Sequence, residues 1–132
     1  MLDEINIVWF KRDLRITDHV PIYKASKESI PFIPLYVLDQ NYWSQNFSSI
    51  RHWNFVYDCL EELNIELSNI GQPLIIKKGS ATNIFKDIQS NFKINKVYAH
   101  EETSNDWVRK KNLSVKNWFE KNQIEFIEYP TN

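Results

Sequence analysis

Residues 8–19 are Val8-Trp9-Phe10-Lys11-Arg12-Asp13-Leu14-Arg15-Ile16-Thr17-Asp18-His19, the stretch that is most informative about the fold. Apolar residues come first, and five charged residues then follow within the eight positions from 11 to 18. This pattern predicts a buried strand that ends in an ionic loop. In open α/β sheets, ligands bind at the carboxyl ends of the strands. The stretch therefore predicts an α/β fold with a charged ligand site directly after its first strand.

Apolar runs alternate with helical patterns along the whole chain. The runs predict strands at residues 5–10, 32–38, 74–77, 96–100 and 124–128. Four helices are predicted between them: a short one capped by Asp18 that ends near residue 27, and others at about 50–68, 81–91 and 105–122. Residues 39–49 are unpatterned and predict a loop. The alternation favours a Rossmann-like, three-layer α/β sandwich with a five-stranded parallel sheet in the order 3-2-1-4-5.

Length and composition narrow the class of protein. The 132 residues fit one domain with its own core. A formal net charge of −1 creates no basic field, so we expect weak or no DNA binding by this chain alone. Cys59 is the only cysteine, which excludes an internal disulfide. Neither a secretory signal nor a membrane-spanning stretch is evident, so we expect a cytoplasmic protein with no membrane partner.

The sequence lacks the usual phosphate-binding and catalytic motifs. Its two glycines, Gly71 and Gly79, cannot form a dinucleotide fingerprint or a phosphate loop. Side chains or helix N-termini must therefore hold any phosphate or carboxylate. The three histidines lie in no hydrolase or metalloenzyme motif, and we assign no catalytic residue and no metal ligand. Such a domain is expected to bind a ligand or to serve a partner domain.

Two interpretations apply to the charged loop at residues 11–19. In the first, arginines pair with carboxylates inside the loop and Asp18 caps the following helix. In the second, Lys11, Arg12 and the backbone near Asp13 meet an anionic or polar cofactor. Both can hold, since a loop fixed by its own ion pairs makes a rigid ligand platform.

Two further segments are candidates for ligand contact. Arg51 opens the long second helix, where a cation opposes the helix dipole, so it is either solvated or contacts a ligand or interface. Residues 99–107 follow the fourth strand, which neighbours the first in this sheet order, so their acidic loop should face the basic loop. There, Ser104 or Asn105 is expected to cap the next helix. His100, Glu101 and Glu102 are open to ligand binding or loop pairing.

The opening stretch resembles a signature of DNA photolyases and cryptochromes, Trp-Phe-Arg-Arg-Asp-Leu-Arg-x-x-Asp-Asn. Lys11 stands in place of the first arginine and His19 in place of the asparagine. Further family segments are similar to residues 31–39, 51–63, 74–79 and 97–102. Thr103 and Ser104 depart from the family's aromatic-acidic pair. The resemblance covers essentially the whole chain.

The resemblance implies that residues 1–132 are an N-terminal α/β domain, with the helical FAD-binding domain absent from this chain. Such a domain can carry an antenna chromophore: methenyltetrahydrofolate, 8-hydroxy-deazaflavin or FMN. The implied parent is a deoxyribodipyrimidine photolyase, which repairs pyrimidine dimers in DNA with light. Its helical domain holds FAD and contacts the damaged DNA, so this domain alone should be inactive. The alternatives are a cryptochrome-type blue-light sensor and a free-standing nucleotide-binding or stress-type α/β domain.

Motif position in the family implies which residues line the antenna site. They are Phe10, Lys11, Arg12, Asp13, Leu14, Asp39, Arg51, Glu101, Glu102 and Asn105. Asn105-Asp106 resembles a folate-contacting pair, whereas Arg51 and Glu102 resemble positions used by deazaflavin binders, so the antenna's identity stays open. The tryptophans are not assigned to the family's electron-transfer chain. Exposure of the face that meets the helical domain predicts self-association.

Overall fold

The computed structural model describes residues 2–45, 49–102 and 105–131. Five strands alternate with helices, and their bounds are Glu4–Phe10 (β1), Phe32–Leu38 (β2), Ile75–Lys78 (β3), Lys93–His100 (β4) and Glu125–Tyr129 (β5). The helices are Val20–Ser26 (α1), Gln40–Trp43 (α2), Ile50–Asn69 (α3), Ala81–Gln89 (α4) and Asp106–Lys121 (α5). No helix within these described ranges is both long and apolar enough to cross a membrane. The cytoplasmic location stays a prediction.

All five strands are parallel and lie in the order β3-β2-β1-β4-β5. The predicted fold class and strand order are therefore confirmed. β1 is the central strand, with β2 on one side and β4 on the other. The loops after β1 and β4 consequently start side by side at the carboxyl edge of the sheet.

Helices cover both faces of the sheet, which makes three layers. On one face, Trp9 of β1 packs in a cluster with Phe85 of α4 and Phe119 of α5. On the other face, Phe10 belongs to a cluster formed with side chains of α1 and α3, including Leu63. Neighbouring residues of β1 thus point to opposite faces, as in any strand. Because both faces are buried, the strand is apolar almost throughout.

β4 begins earlier than the apolar pattern predicts, at Lys93 instead of Lys96. The register between β1 and β4 shifts between Ile5 and Ile7. At this irregularity the buried Asn6 accepts a hydrogen bond at Oδ1 from the backbone N–H of Lys96, 3.1 Å away. Pairing with β1 therefore extends β4 through residues 93–95, where Ile94 is the only apolar residue and the sequence shows no strand pattern.

The N-cap of α1 is His19, so the prediction that Asp18 caps this helix is wrong. The backbone of Asp18 lies in the left-handed region, with φ of 52°. His19 has the extended backbone of an N-cap, with φ of −111°, and its side chain accepts a hydrogen bond from the N–H of Ile22. Helix α1 then ends at Ser26, close to the predicted end.

The segment predicted as a loop at residues 39–49 begins with a helical turn. Asp39 caps α2 by accepting the backbone N–H of Asn41 at 2.9 Å. Four residues give too short a pattern for helical periodicity to be recognised. Residues 46–48 lie outside the described part of the chain. The turn is important for the site because it carries Tyr42 and Trp43.

Replacing Phe119 by alanine should destabilise the protein by about 3–5 kcal/mol, because removal of the large ring leaves a cavity among packed aromatic side chains. The ring is 1% exposed, and its centroid lies 4.9 Å from that of Phe85 and 5.0 Å from that of Phe126. Urea unfolding followed by circular dichroism measures the loss. Leu113→Ala on the same helix is the control, since Leu113 is 59% exposed, and should change stability by less than about 0.5 kcal/mol. Equal effects of the two substitutions would contradict the packing described.

Candidate functional site

The basic loop after β1 and the acidic loop after β4 meet, as the sequence predicts. Trp9 of β1 is paired with Ala99 of β4, just before both loops begin. Arg12 Nε lies 3.5 Å from Glu102 Oε2. His100 Nδ1 lies 2.8 Å from Asp13 Oδ2. Loop pairing is therefore confirmed for His100 and Glu102.

Asp13 is the centre of a buried hydrogen-bond network. Its Oδ1 accepts the backbone N–H of Lys11 at 2.8 Å. Its Oδ2 is bound by two imidazoles, Nε2 of His19 and Nδ1 of His100. The side chains of Asp13, His19 and His100 are all at least nine-tenths buried. One carboxylate therefore connects the loop after β1, the start of α1 and the end of β4.

The geometry assigns the protons of His19. Its Nδ1 accepts the backbone N–H of Ile22 at 3.1 Å, so this nitrogen carries no proton. The proton of the neutral ring is then on Nε2, which donates to Asp13. A single imidazole both caps α1 and orients the carboxylate.

The network holds Asp13 in its ionised form. Burial alone would raise the pKa of Asp13, but the hydrogen bonds from His19, from the backbone N–H of Lys11 and from His100 outweigh it. The pKa of Asp13 therefore lies well below its ordinary value. Because it accepts three hydrogen bonds, the buried carboxylate of Asp13 holds the three segments of its donors together.

Asp13, His19 and His100 are also residue types that bind metal ions, and one potential ligand atom from each lies within 4.8 Å of the others. A metal-bound neutral imidazole normally donates from its second nitrogen. The second nitrogen of His19 is an acceptor for Ile22 instead. The donor set therefore fits a hydrogen-bond network and does not fit a metal site.

Arg15 does not form the ion pair with a loop carboxylate that the first interpretation predicts. Arg15 Nε donates to the backbone carbonyl of Thr17 at 3.1 Å. No ion pair joins Arg15 to Asp13 or Asp18, all of which belong to the described residues. His19 and His100, and not Arg15, are the side-chain partners of the Asp13 carboxylate. Arg15 instead contributes to the wall of a pocket.

A pocket of about 640 Å³ opens at the carboxyl edge of the sheet, next to this network. Its wall combines the ends of β1 and β2 with α2, α3, the start of α4 and α5. The volume falls in the range of small-molecule sites. Aromatic side chains form much of the wall, among them Trp9, Tyr36, Tyr42, Trp43, Phe55 and Trp107.

The charged part of the wall is mainly basic. Four cations line the pocket, namely Lys11, Arg12, Arg15 and Lys111, against the carboxylates of Asp39 and Glu102. The protein as a whole has a net charge of −1. Positive charge is therefore concentrated at this pocket, and the pocket fits a planar aromatic ligand with an anionic group.

Lys11 is the most unusual of these cations. Its Nζ is buried without a hydrogen-bond acceptor among the described residues. It lies 4.4 Å from the ring centroid of Trp9 and 5.7 Å from that of Phe126. Burial lowers the pKa of Lys11, although nearby carboxylates oppose the shift. An unpaired buried donor of this kind costs about 1–3 kcal/mol or more.

The structure places six of the ten predicted site residues on the pocket wall: Phe10, Lys11, Arg12, Leu14, Asp39 and Glu102. Asp13 lies beneath them in the network and Arg51 is exposed near the start of α3. Glu101 is exposed and lines a smaller neighbouring pocket of about 210 Å³. Asn105 caps α5 by accepting the N–H of Val108 at 3.0 Å. Ser104, the other predicted cap, lies outside the described residues.

The sequence interpretation missed the aromatic part of the wall. Tyr42 and Trp43 come from α2, His52 from α3 and Trp107 from α5. The ring centroids of Tyr42 and Trp107 are 5.9 Å apart, across a long separation in sequence. The density of aromatic residues at 39–49 was the available signal, but it does not identify their partners.

Comparison with known proteins gives the family. The family profile for DNA photolyase matches residues 6–132. A cryptochrome DASH from Solanum lycopersicum is 28% identical over 119 residues, which cover 86% of this chain and 21% of the relative. This chain thus spans about a fifth of that relative's length.

Solved structures agree with this match. A cryptochrome from Synechocystis superposes with a TM-score of 0.89 at 21% identity, covering 98% of this chain and 28% of the other. A Sulfolobus tokodaii photolyase with two FAD molecules gives a TM-score of 0.84 at 26% identity, covering 96% of this chain and 29% of the other. The fold is the α/β type of these proteins. The chain belongs to the DNA photolyase family, in the part that corresponds to the N-terminal α/β domain.

Asp13→Asn should destabilise the protein by about 3 kcal/mol at pH 7, because two buried imidazoles lose their ionised partner. Since the pKa of Asp13 is lower in the folded than in the unfolded chain, this stabilisation is present at neutral pH. It is lost progressively as the pH falls below about 5, through the unfolded value near 3.9. The difference in free energy of unfolding between the variant and the wild type should therefore shrink between pH 5 and pH 2. Urea unfolding at each pH measures this difference.

The exposed Asp18 of the same loop provides the matched control. Asp18→Asn should leave stability within about 0.5 kcal/mol at every pH. A pH-independent difference for the Asp13 variant would contradict the ionised state assigned to its carboxylate.

Proposed function

We propose that this chain is the light-harvesting-cofactor domain of a deoxyribodipyrimidine photolyase. The observation that supports it best is the pocket of about 640 Å³, with its aromatic and basic wall, at the carboxyl edge of a photolyase-type sheet. The ligand is a planar chromophore whose ring contacts the aromatic side chains. Its anionic tail is held by side-chain cations, since the chain has no glycine-rich phosphate loop.

Among the antenna candidates, the pocket favours a flavin-type ring over a folate. Asn105, one of the two residues implied for folate contact, uses its side chain to cap α5. Asp106, the other, pairs with Arg109 one turn along the helix. By contrast, Arg12, Arg15 and Lys111 lie on the pocket wall, where a phosphate tail could reach them. FMN or 8-hydroxy-deazaflavin is therefore the proposed ligand class. The Sulfolobus tokodaii photolyase, described with two FAD molecules and a novel light-harvesting cofactor, supports this choice by analogy.

The proposed partner is a helical FAD-binding domain of the same parent protein, which would also contact the damaged DNA. Exposed apolar side chains on α3 are candidates for that contact: Ile50, Phe55, Tyr57 and Ile65 are each at least 50% exposed. Apolar surface of this kind favours association. Self-association through the same face stays a prediction.

A cryptochrome-type blue-light sensor is the second candidate function. The name of the tomato relative, cryptochrome DASH, favours it. The two candidates share the fold, the pocket and the antenna proposal, and they differ in what the parent protein does with the collected energy. The photolyase proposal requires repair of pyrimidine dimers, and the sensor requires a signalling output.

The charge of the pocket can be tested with FMN and riboflavin, which differ by one phosphate. Arg12→Ala should weaken FMN binding at least about tenfold, equivalent to 1.4 kcal/mol, because Arg12 is proposed to contact the phosphate. Riboflavin binding should change less than about threefold. Fluorescence quenching of the flavin on titration with protein measures both affinities.

Arg109→Ala is the matched control, because Arg109 is 74% exposed in its side chain and pairs with Asp106 away from the pocket. It should leave both affinities unchanged. Absence of flavin binding by the wild-type protein would contradict the proposed function itself. Equal losses for FMN and riboflavin would contradict only the phosphate contact.

The chain by itself should not repair DNA. Nothing in the described residues forms a catalytic set, and the repair chemistry of the proposed parent requires the FAD of another domain. Illumination of the purified protein, with flavin added, should leave cyclobutane dimers in an oligonucleotide intact, as measured by chromatography. Light-dependent loss of dimers would overturn the assignment as an antenna domain.

A further inference from the structure

Lys11 has a donor that the protein itself does not use. The residue follows β1 directly, and its backbone N–H is fixed by Asp13 at 2.8 Å. Its Nζ is fully buried and lacks an acceptor among the described residues. The same residue lines both the large pocket and the smaller one. A buried charged donor at the wall of a pocket points to an acceptor on the ligand.

The neighbouring carboxylates are not acceptors for Nζ in this structure, and each is engaged with another partner. Glu102 pairs with Arg12 at 3.5 Å, and Glu128 pairs with Lys116 at 2.7 Å. Asp13 is bound by the two histidines and by the backbone of Lys11 itself. The negative charges of these carboxylates attract the ammonium group of Lys11 and partly offset the lowering of its pKa by burial. They leave the hydrogen-bonding positions of Nζ open.

The surroundings of Nζ also indicate which part of a ligand it meets. The indole of Trp9 and the ring of Phe126 lie close to it, so Nζ is enclosed next to aromatic rings. Arg12, in contrast, has a side chain that is 58% exposed. A hydrated phosphate tail suits the exposed arginine, whereas the edge of an aromatic ring suits the enclosed lysine. Because the effective dielectric constant is lower around a buried group than in water, the charge of Nζ discriminates between a neutral and an ionised ring.

We propose that Lys11 determines the charge state of the ring that this pocket accepts, by donating from Nζ to an ionised oxygen on the edge of the chromophore. The proposal rests on the proposed function and makes it more specific: it favours chromophores with an acidic ring hydroxyl, such as 8-hydroxy-deazaflavin, over rings that are neutral at pH 7. The lowered pKa of unliganded Lys11 agrees with this role, because an anion at Nζ supplies the missing counter-charge. The flexible stem of lysine lets Nζ follow the position of the acceptor.

The test uses 8-hydroxy-5-deazariboflavin, whose ring hydroxyl changes the absorption spectrum when it ionises. We expect the wild-type protein to lower the pH at which the bound ring ionises, relative to the free ligand. Lys11→Met should raise this midpoint by at least one unit, because it removes the cation while keeping the apolar stem. Lys11→Arg keeps the charge and should retain most of the shift.

Riboflavin is the matched ligand, since its ring is neutral at pH 7. Lys11→Met should weaken binding of the ionised 8-hydroxy ring at least about tenfold more than binding of riboflavin, which separates loss of the charge from damage to the pocket. Thermal unfolding should show the unliganded methionine variant to be at least as stable as wild type, because an unpaired buried ammonium is removed. An unchanged midpoint in the Lys11→Met complex would overturn this proposal alone. Failure of the wild-type protein to bind either ring would overturn the proposed function and this proposal with it.

Discussion

The ionised carboxylate of Asp13 is the constraint on which the site depends. A buried charge is tolerated only when it is paired and fully hydrogen-bonded. Here the partners come from three parts of the chain: the backbone of Lys11, the cap residue His19 of α1 and His100 at the end of β4. Satisfying one carboxylate therefore fixes the path of the charged loop relative to two other elements.

Because Asp13 fixes the loop after β1, the same loop both stabilises the fold and lines the pocket. With Asp13 directed into the protein and held there, its neighbours Lys11 and Arg12 form part of the pocket wall. Arg12 also reaches Glu102 of the facing loop. The two interpretations of this loop, internal pairing and ligand contact, thus apply to different residues. Asp13 provides the buried pairing, and its basic neighbours Lys11 and Arg12 line the pocket.

Most of the fold could be predicted from the sequence, because apolar periodicity is a local property. β2 has the predicted bounds, and α3 and α5 differ from theirs by about one residue. The cap of α1 could not be predicted, because Asp18 and His19 are adjacent and either can cap a helix. The choice depends on the long-range contact of His19 with Asp13. The aromatic wall was missed for the same reason, since Trp9, Trp43 and Trp107 come from three separate elements.

The shortage of glycine has a consequence for specificity. Gly71, with φ of 81°, follows α3, and Gly79, with φ of 140°, follows β3, so both serve turns. In folds with a glycine-rich loop, backbone N–H groups hold the phosphate, and those groups carry no net charge. In the function proposed for this chain, side-chain cations hold the phosphate instead. Their strength depends on burial and on neighbouring carboxylates, as the contrast between the enclosed Lys11 and the exposed Arg12 shows. On the proposed function, a substitution of Lys11 would therefore change which ring charge the pocket accepts, while the Asp13 network still fixes the backbone of the loop.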